Sequence, residues 1–143
     1  MMKPSRWWSC ALLAIASCWL SAAAAGVVVV VSAKNPVAHL SAEQVTAIFL
    51  GKVSTFPNGN AATPLDQADG SAIRREFYSR VAHKTPSQLS AYWAKVIFTG
   101  DGQPPKLLPD QAAVLRELQH DASAIAYVDD SGLDGNVRVI FTP

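Results

Sequence analysis

The chain has 143 residues, half of them hydrophobic, and its 12 basic and 11 acidic residues nearly balance. This length is sufficient for one core without support from disulfides or metals. Because the sequence contains no basic cluster and no basic amphipathic stretch, it argues against a nucleic-acid-binding surface and against binding at a membrane surface.

The first 25 residues are typical of a secretory signal peptide. Lys3 and Arg6 provide a positive start, residues 7–20 are mainly apolar, and small residues follow up to position 25. The apolar run is short for a membrane-spanning helix. We therefore predict a signal peptide over 1–25 and one periplasmic or secreted domain over 26–143.

The same segment contains an alternative processing signal. Ile15-Ala16-Ser17-Cys18 resembles a bacterial lipoprotein box, which would place a lipid anchor on Cys18. The small residues that follow favour ordinary cleavage, so the soluble exported form is preferred and the anchor is the alternative. Cys10 and Cys18 both lie in the predicted leader, so the predicted domain has no disulfide, thiol nucleophile or cysteine metal site.

The first part of the predicted domain alternates a strand and a helix. Val27–Val31 is an unbroken β-branched run, typical of a strand buried on both faces in a parallel sheet. Ser41 and Gln44 form a capping box, and Gly51 is placed to end the helix that follows. Its predicted buried stripe is Val45, Ile48 and Phe49.

The middle of the chain contains a turn between a strand and a helix. Thr63–Asp66 is a short strand candidate, and Ala68-Asp69-Gly70-Ser71 opens the next helix. Helical spacing predicts that this helix buries Ile73, Phe77 and Val81 and leaves Arg74, Arg75 and Arg80 more solvated.

The rest of the chain is predicted to form two helices followed by two strands. Thr85 caps a helix whose apolar positions are Leu89, Tyr92, Trp93, Val96 and Ile97, and a loop follows over Thr99–Pro105. Asp110 caps a shorter helix, and Ala124–Val128 and Val137–Phe141 are strand candidates. This alternation predicts an α/β domain, a layered sheet flanked by helices.

The turn before the second helix is the main candidate for binding. A glycine-containing turn at a helix start directs backbone N–H groups and the positive end of the helix dipole outward, which suits an oxyanion such as phosphate. The alternative interpretation is that Ser71 only caps its own helix. Asp66 and Asp69 are interpreted as solvated turn residues rather than an acid–base pair.

The order of motifs resembles the phosphate-binding proteins of ABC transporters, which have the type II periplasmic binding protein fold. It is more closely similar to short exported proteins that look like one lobe of that fold. The matching segments are Leu40-Ser41, Ile48–Val53, Phe56–Gly59, Ala68–Ser71, Phe77, Tyr92-Trp93, Phe98–Gly100 and Ser123–Val128.

The resemblance implies a phosphate site at the turn. The full-length family holds phosphate between two lobes, with an Asp-Gly-Ser-Gly-Thr turn at a helix start and an arginine a few residues upstream. Asp69, Gly70 and Ser71 match that turn, whereas Ala72 replaces its second glycine. The departures continue with Ile73 in place of the threonine and Asp66 near the place of the arginine. Arg74 and Arg75 are the candidate substitutes for that arginine.

The resemblance thus implies solute binding linked to phosphate uptake, with a membrane permease or periplasmic protein as partner and without cofactor, metal or catalysis. The histidines are far apart, and Ser71 lacks the elbow of a hydrolase nucleophile. The alternative function is a non-catalytic protein–protein interaction module that has kept the fold without binding phosphate. Such a module would expose the turn to another protein or, as a homodimer, to a second copy.

Overall fold

Five strands form one mixed sheet in the computed structural model of the protein, which describes residues 26–143. The predicted signal peptide and the alternative lipid site at Cys18 lie outside the described residues. In chain order the elements are β1 (Val27–Ser32), α1 (Ala42–Phe49), β2 (Thr63–Gln67), α2 (Ala72–Ala82), α3 (Pro86–Thr99), β3 (Lys106–Leu108), α4 (Gln111–His120), β4 (Ala124–Asp129) and β5 (Val137–Phe141). The strand order across the sheet is β3-β2-β4-β1-β5.

Strand β1 is buried along its whole length, as predicted, but the predicted parallel environment is wrong. Val29 lies opposite Tyr127 of β4 and Val30 opposite Val139 of β5, and both pairings are antiparallel. The parallel pairs are those of β2 with β3 and with β4. An apolar run on both faces reflects helices on both sides of the sheet, which do not require parallel neighbours.

Two apolar layers lie on the two faces of this sheet. On one face, Val29 and Val31 contribute to a cluster with buried residues of α1, α2 and α3. On the other face, Val28 and Val30 contribute to a cluster with Val114 and Leu118 of α4. The alternation of side chains along β1 therefore supplies both layers.

The first cluster has an aromatic centre. The rings of Phe77 and Tyr127 stack with centroids 4.2 Å apart, and Phe49 meets Phe77 edge-on at 4.7 Å. These contacts attach α1 and α2 to the middle of the sheet.

The locally encoded helix starts are confirmed. Ser41 with Gln44 and Thr85 with Gln88 each form both hydrogen bonds of a capping box, and Asp110 caps α4. The predicted buried stripe of α1 is also confirmed, and Gly51 follows its end with a φ of +69°.

The burial patterns of α2 and α3 differ from the predicted ones. In α2, Ile73 is only half-buried, and Tyr78 takes a buried position beside Phe77. In α3, Leu89 and Trp93 are buried, whereas Ile97 is 58% exposed. Tyr92 and Val96 still pack against the core, whereas the end of α3 after Val96 extends past it, so the apolar pattern is longer than the surface that the helix covers. Strand β3 was not predicted, because its three residues carry no alternating pattern.

Candidate functional site

The turn between β2 and α2 has the conformation expected of a glycine turn. Gly70 has a φ of +84°, in the left-handed region, and the Ser71 N–H donates to the Ala68 carbonyl at 3.1 Å. Ser71 is the N-cap of α2, and its Oγ accepts a long hydrogen bond of 3.4 Å from the Arg74 N–H. Ser71 therefore caps its own helix.

Capping leaves part of the helix start open for another acceptor. The Arg75 N–H donates to the Ser71 carbonyl at 3.2 Å, so the third and fourth N–H groups of α2 have partners. Within residues 26–143, the N–H groups of Ala72 and Ile73 donate to no protein acceptor. These two donors, at the positive end of α2, can bind an anion without breaking an existing hydrogen bond.

Arg74 is the most constrained charged residue of the site, in contrast to the predicted solvated position. Its Nε lies 3.1 and 3.2 Å from the two carboxylate oxygens of Asp66, and its Nη1 lies 2.8 Å from Asp69. The Arg74 side chain is only 15% exposed and its guanidinium lies over the Tyr78 ring. Burial alone would lower the pKa of Arg74, but Asp66 and Asp69 raise it above its ordinary value.

Asp66 lies near the place of the family's arginine in the predicted alignment, and we expected it to be a solvated turn residue. The prediction of solvation is wrong. The residue is 3% exposed, and its carboxylate accepts hydrogen bonds from Arg74 and from the hydroxyls of Tyr78 and Tyr127. Asp69, in contrast, is 83% exposed, as a turn residue should be. Asp66 therefore anchors Arg74 inside the protein, and its negative charge is largely balanced there.

The two tyrosines complete a buried polar cluster with Asp66 and Arg74. The Tyr127 hydroxyl also accepts from the Gln67 N–H at 3.0 Å. Burial, followed by the nearby Asp66 carboxylate, raises the pKa of both Tyr78 and Tyr127 above the ordinary value. Both hydroxyls therefore remain protonated donors to Asp66, which fixes the position of the α2 start relative to β2.

Arg74 separates two cavities of different character. The larger, of about 490 Å³, has Asp66, Asp69 and Arg74 at one end and an apolar wall that includes Trp93, whose indole N–H has no acceptor among the described residues. Its charged end carries two acids against one base. An inorganic anion in this cavity would meet net repulsion.

The smaller cavity, of about 260 Å³, is cationic. Gly70, Ser71, Arg74, Arg75 and Lys84 line it, and no acidic residue does so. Arg75 also donates to the Gly70 carbonyl at 2.6 Å, which holds its guanidinium against the turn. An anion bound in this cavity would be close both to the cationic side chains that line it and to the positive end of α2.

Most of the predicted site residues are brought together in this cavity. Gly70, Ser71, Arg74 and Arg75 line it, whereas Asp69 lines only the larger cavity and Ala72 lines neither. Lys84 was missed by the sequence analysis. It follows His83, the left-handed C-cap of α2, and its N–H donates to the Tyr78 carbonyl at 3.1 Å. The lysine after the end of α2 thus lines the same cavity as Gly70 and Ser71 before its start.

Within residues 26–143 there is no group of three or more histidine, cysteine, aspartate or glutamate side chains placed to hold a metal ion. Over the same residues, no helix has both the length and the apolar character needed to cross a membrane.

Comparison with known proteins gives matches in structure only. No family model matches the sequence, and no curated protein matches it. An ABC-type phosphate transport receptor from Vibrio cholerae matches the fold with a TM-score of 0.65 and 21% identity, over 80% of this chain and 45% of the receptor.

Two further structures show the same relationship. A putative phosphate ABC transporter substrate-binding protein with bound phosphate from Clostridium perfringens matches with a TM-score of 0.62 and 18% identity, over 80% of this chain and 44% of that protein. PstS from Borrelia burgdorferi matches with a TM-score of 0.61 and 8% identity, over 80% of this chain and 46% of PstS. The chain thus spans less than half the length of these proteins. The likeness confirms the predicted α/β fold and its resemblance to one lobe of phosphate-binding proteins.

Proposed function

We propose that the protein is an exported, non-catalytic solute-binding protein related to phosphate uptake, which binds an inorganic oxyanion weakly in the smaller cavity. Residues 1–25 are its signal peptide, and 26–143 form one periplasmic domain. The observation that carries the proposal is the arrangement of Ser71, Arg75 and Lys84 around the open start of α2 without an acidic residue in the lining.

The contacts available to such an anion can be named from the geometry. The Ser71 hydroxyl lines the cavity and can donate outward while its oxygen caps Arg74. The open N–H groups of Ala72 and Ile73 lie at the same helix start but outside the cavity lining, so they contribute through the positive end of the helix dipole. Arg75 and Lys84 supply charge from two sides of the cavity. Phosphate and sulfate, which are small tetrahedral anions with oxygen acceptors, fit this set of donors.

We expect the affinity to be low, with a dissociation constant in the high micromolar range or weaker. Arg74 is already paired with Asp66 and Asp69, so it contributes little additional charge. The site is also open to solvent on one side, where water and salt weaken each charged contact. A tight oxyanion site requires charge-assisted hydrogen bonds from several directions in a dry cavity.

The test is isothermal titration of the protein, produced from the full chain, with phosphate and with sulfate. Lys84→Gln should weaken phosphate binding about three- to tenfold, because it removes one partly solvated charge. Ser71→Ala and Gly70→Val should also weaken it. Lys52→Gln, which changes an exposed lysine outside the cavity, is the matched control.

Two results would contradict this proposal. If a folded sample shows no binding heat at millimolar phosphate, the protein does not bind this oxyanion as proposed. If the titration shows a submicromolar site, the expected low affinity is wrong. Equal weakening by Lys84→Gln and Lys52→Gln would place the anion elsewhere on the protein.

The second candidate function is a protein–protein interaction module, and one observation favours it. Phe98 is 91% exposed and the adjacent Ile97 is 58% exposed, and neighbouring exposed apolar side chains are typical of interaction surfaces. If the turn between β2 and α2 forms part of the contact with a permease or another periplasmic protein, Ser71→Trp should abolish that complex. An unaffected complex would exclude the turn from the interface.

A further inference from the structure

Helix α3 presents an outward face without charge. Ser87, Ala91, Ala94 and Phe98 are all exposed and follow one another at intervals of four, three and four residues. This spacing places them in one stripe along the helix, on the side opposite the buried Leu89 and Trp93. An exposed helix usually carries charged residues on such a face, but the only charged residue among the fourteen of α3 is Lys95.

The stripe includes one large exposed apolar side chain and has two others beside it. Phe98 is 91% exposed, Ile97 is 58% exposed, and Leu107 is 57% exposed. Ile97 and Leu107 line the same larger cavity, so they lie near one another on one flank of α3. Contiguous exposed apolar surface of this kind marks an interaction site rather than an ordinary solvated surface.

We infer that this face of α3 is the contact between two copies of the chain, with the two α3 helices packed antiparallel across a two-fold axis. The stripe has small residues at its amino-terminal end and a large one at its carboxyl-terminal end. Antiparallel pairing places Phe98 of each copy against Ser87 and Ala91 of the other copy. A two-fold contact requires this self-complementarity, in which the same patch supplies both the projection and the recess.

The stripe itself adds no charge repulsion to this pairing. Because the stripe carries no charge, two identical copies bring no like charges together within it. The two-fold axis places the two Lys95 side chains on the same flank of the contact, where salt and solvent screen their repulsion. A basic or acidic peptide partner would have no complementary charge on this stripe, which favours a second copy as the occupant.

The available area suits a weak dimer. Phe98, Ile97 and Leu107 together expose about 350 Å² of side-chain surface per copy. The 14-residue helix is about 21 Å long and adds its small-residue strip. Two copies would bury on the order of 1,000–1,200 Å² in total, which is the low end for specific interfaces.

The test is sedimentation velocity of the protein produced from the full chain, from about 1 µM to about 1 mM, the range in which a weak dimer changes population. We expect the wild type to pass from monomer to dimer over this range. Phe98→Asp should weaken association at least about 30-fold, because it removes the aromatic side chain that each copy inserts against the small residues of the other. Ala94→Arg should do the same by preventing close approach of the helices.

The matched control is Val53→Asp, which places the same charge at an exposed apolar residue outside α3. It should associate like the wild type. The inference is wrong if the wild type stays monomeric throughout the range, or if Phe98→Asp dimerises as well as Val53→Asp. Circular dichroism of each variant establishes that it is folded. The outcome is independent of phosphate binding, because none of these residues lines the cationic cavity.

Discussion

Removing the guanidinium of Arg74 should be among the most destabilising single changes near the candidate site. Arg74→Met leaves the carboxylate of Asp66, which is 3% exposed, with only the hydroxyls of Tyr78 and Tyr127 as side-chain partners from other residues. Breaking a buried ion pair by removing one partner typically costs about 3–5 kcal/mol. Because the two tyrosine hydrogen bonds remain and Arg74 itself is partly exposed, we expect about 2–4 kcal/mol.

The assay is urea unfolding followed by circular dichroism, with the free energy of unfolding extrapolated to water. The control is Arg80→Met, which breaks the Arg80–Glu76 pair on the exposed face of the same helix. Because both of those side chains are more than a third exposed, this change should cost less than about 0.5 kcal/mol. The comparison separates the buried charge of Asp66 from the general effect of replacing an arginine in α2.

A double variant tests whether the unpaired charge of Asp66 is the cause of the lost stability. Adding Asp66→Asn to Arg74→Met removes the unpaired charge, and it should recover at least about half of the lost stability. Additive losses in the double variant, or an Arg74→Met cost no larger than that of Arg80→Met, would refute the argument that a buried charge is being stranded.

Two further predictions concern stability. Because the pKa of Tyr78 and Tyr127 is raised in the folded protein, the stability that they contribute is complete below pH 10 and is lost as the pH rises above it. Urea unfolding between pH 9 and 11 should show a decline of up to about 1.4 kcal/mol per pH unit for each tyrosine, and Tyr127→Phe should reduce that slope. Gly51→Ala should cost about 2 kcal/mol, because Gly51 has a positive φ and a Cβ there would lie 3.2 Å from the Trp93 ring. Gly59 also has a positive φ but has open space around it, so Gly59→Ala should show about half that loss in thermal unfolding.

The features that the sequence predicted correctly are mostly local. Ser41 and Thr85 cap their helices through residues three positions away, so the pattern contains both partners. The turn at Gly70 is equally local. Such features depend on backbone geometry that a few neighbouring residues determine.

The features that were missed depend on tertiary contacts. Arg74 was assigned to the solvated face of α2, because helical spacing gives no information about Asp66 on a different element. Lys84 reaches the cavity through the left-handed turn at His83, which no sequence pattern indicated. Ile97 fits an apolar helical stripe, but the stripe is longer than the core beneath it. In each case, the missing information is the position of another element.

The pairing of β1 also determines when the protein can fold. The strands that pair with residues 27–32 are β4 and β5, roughly a hundred positions later in the chain. A growing chain therefore holds its most apolar strand without a partner until residues 124–141 are available. Closing such a long loop is slow, because its entropic cost comes before any contact is gained. The last strands of the sheet are thus a condition for folding of the first, and an exposed valine run is the segment that a chaperone would need to protect in the meantime.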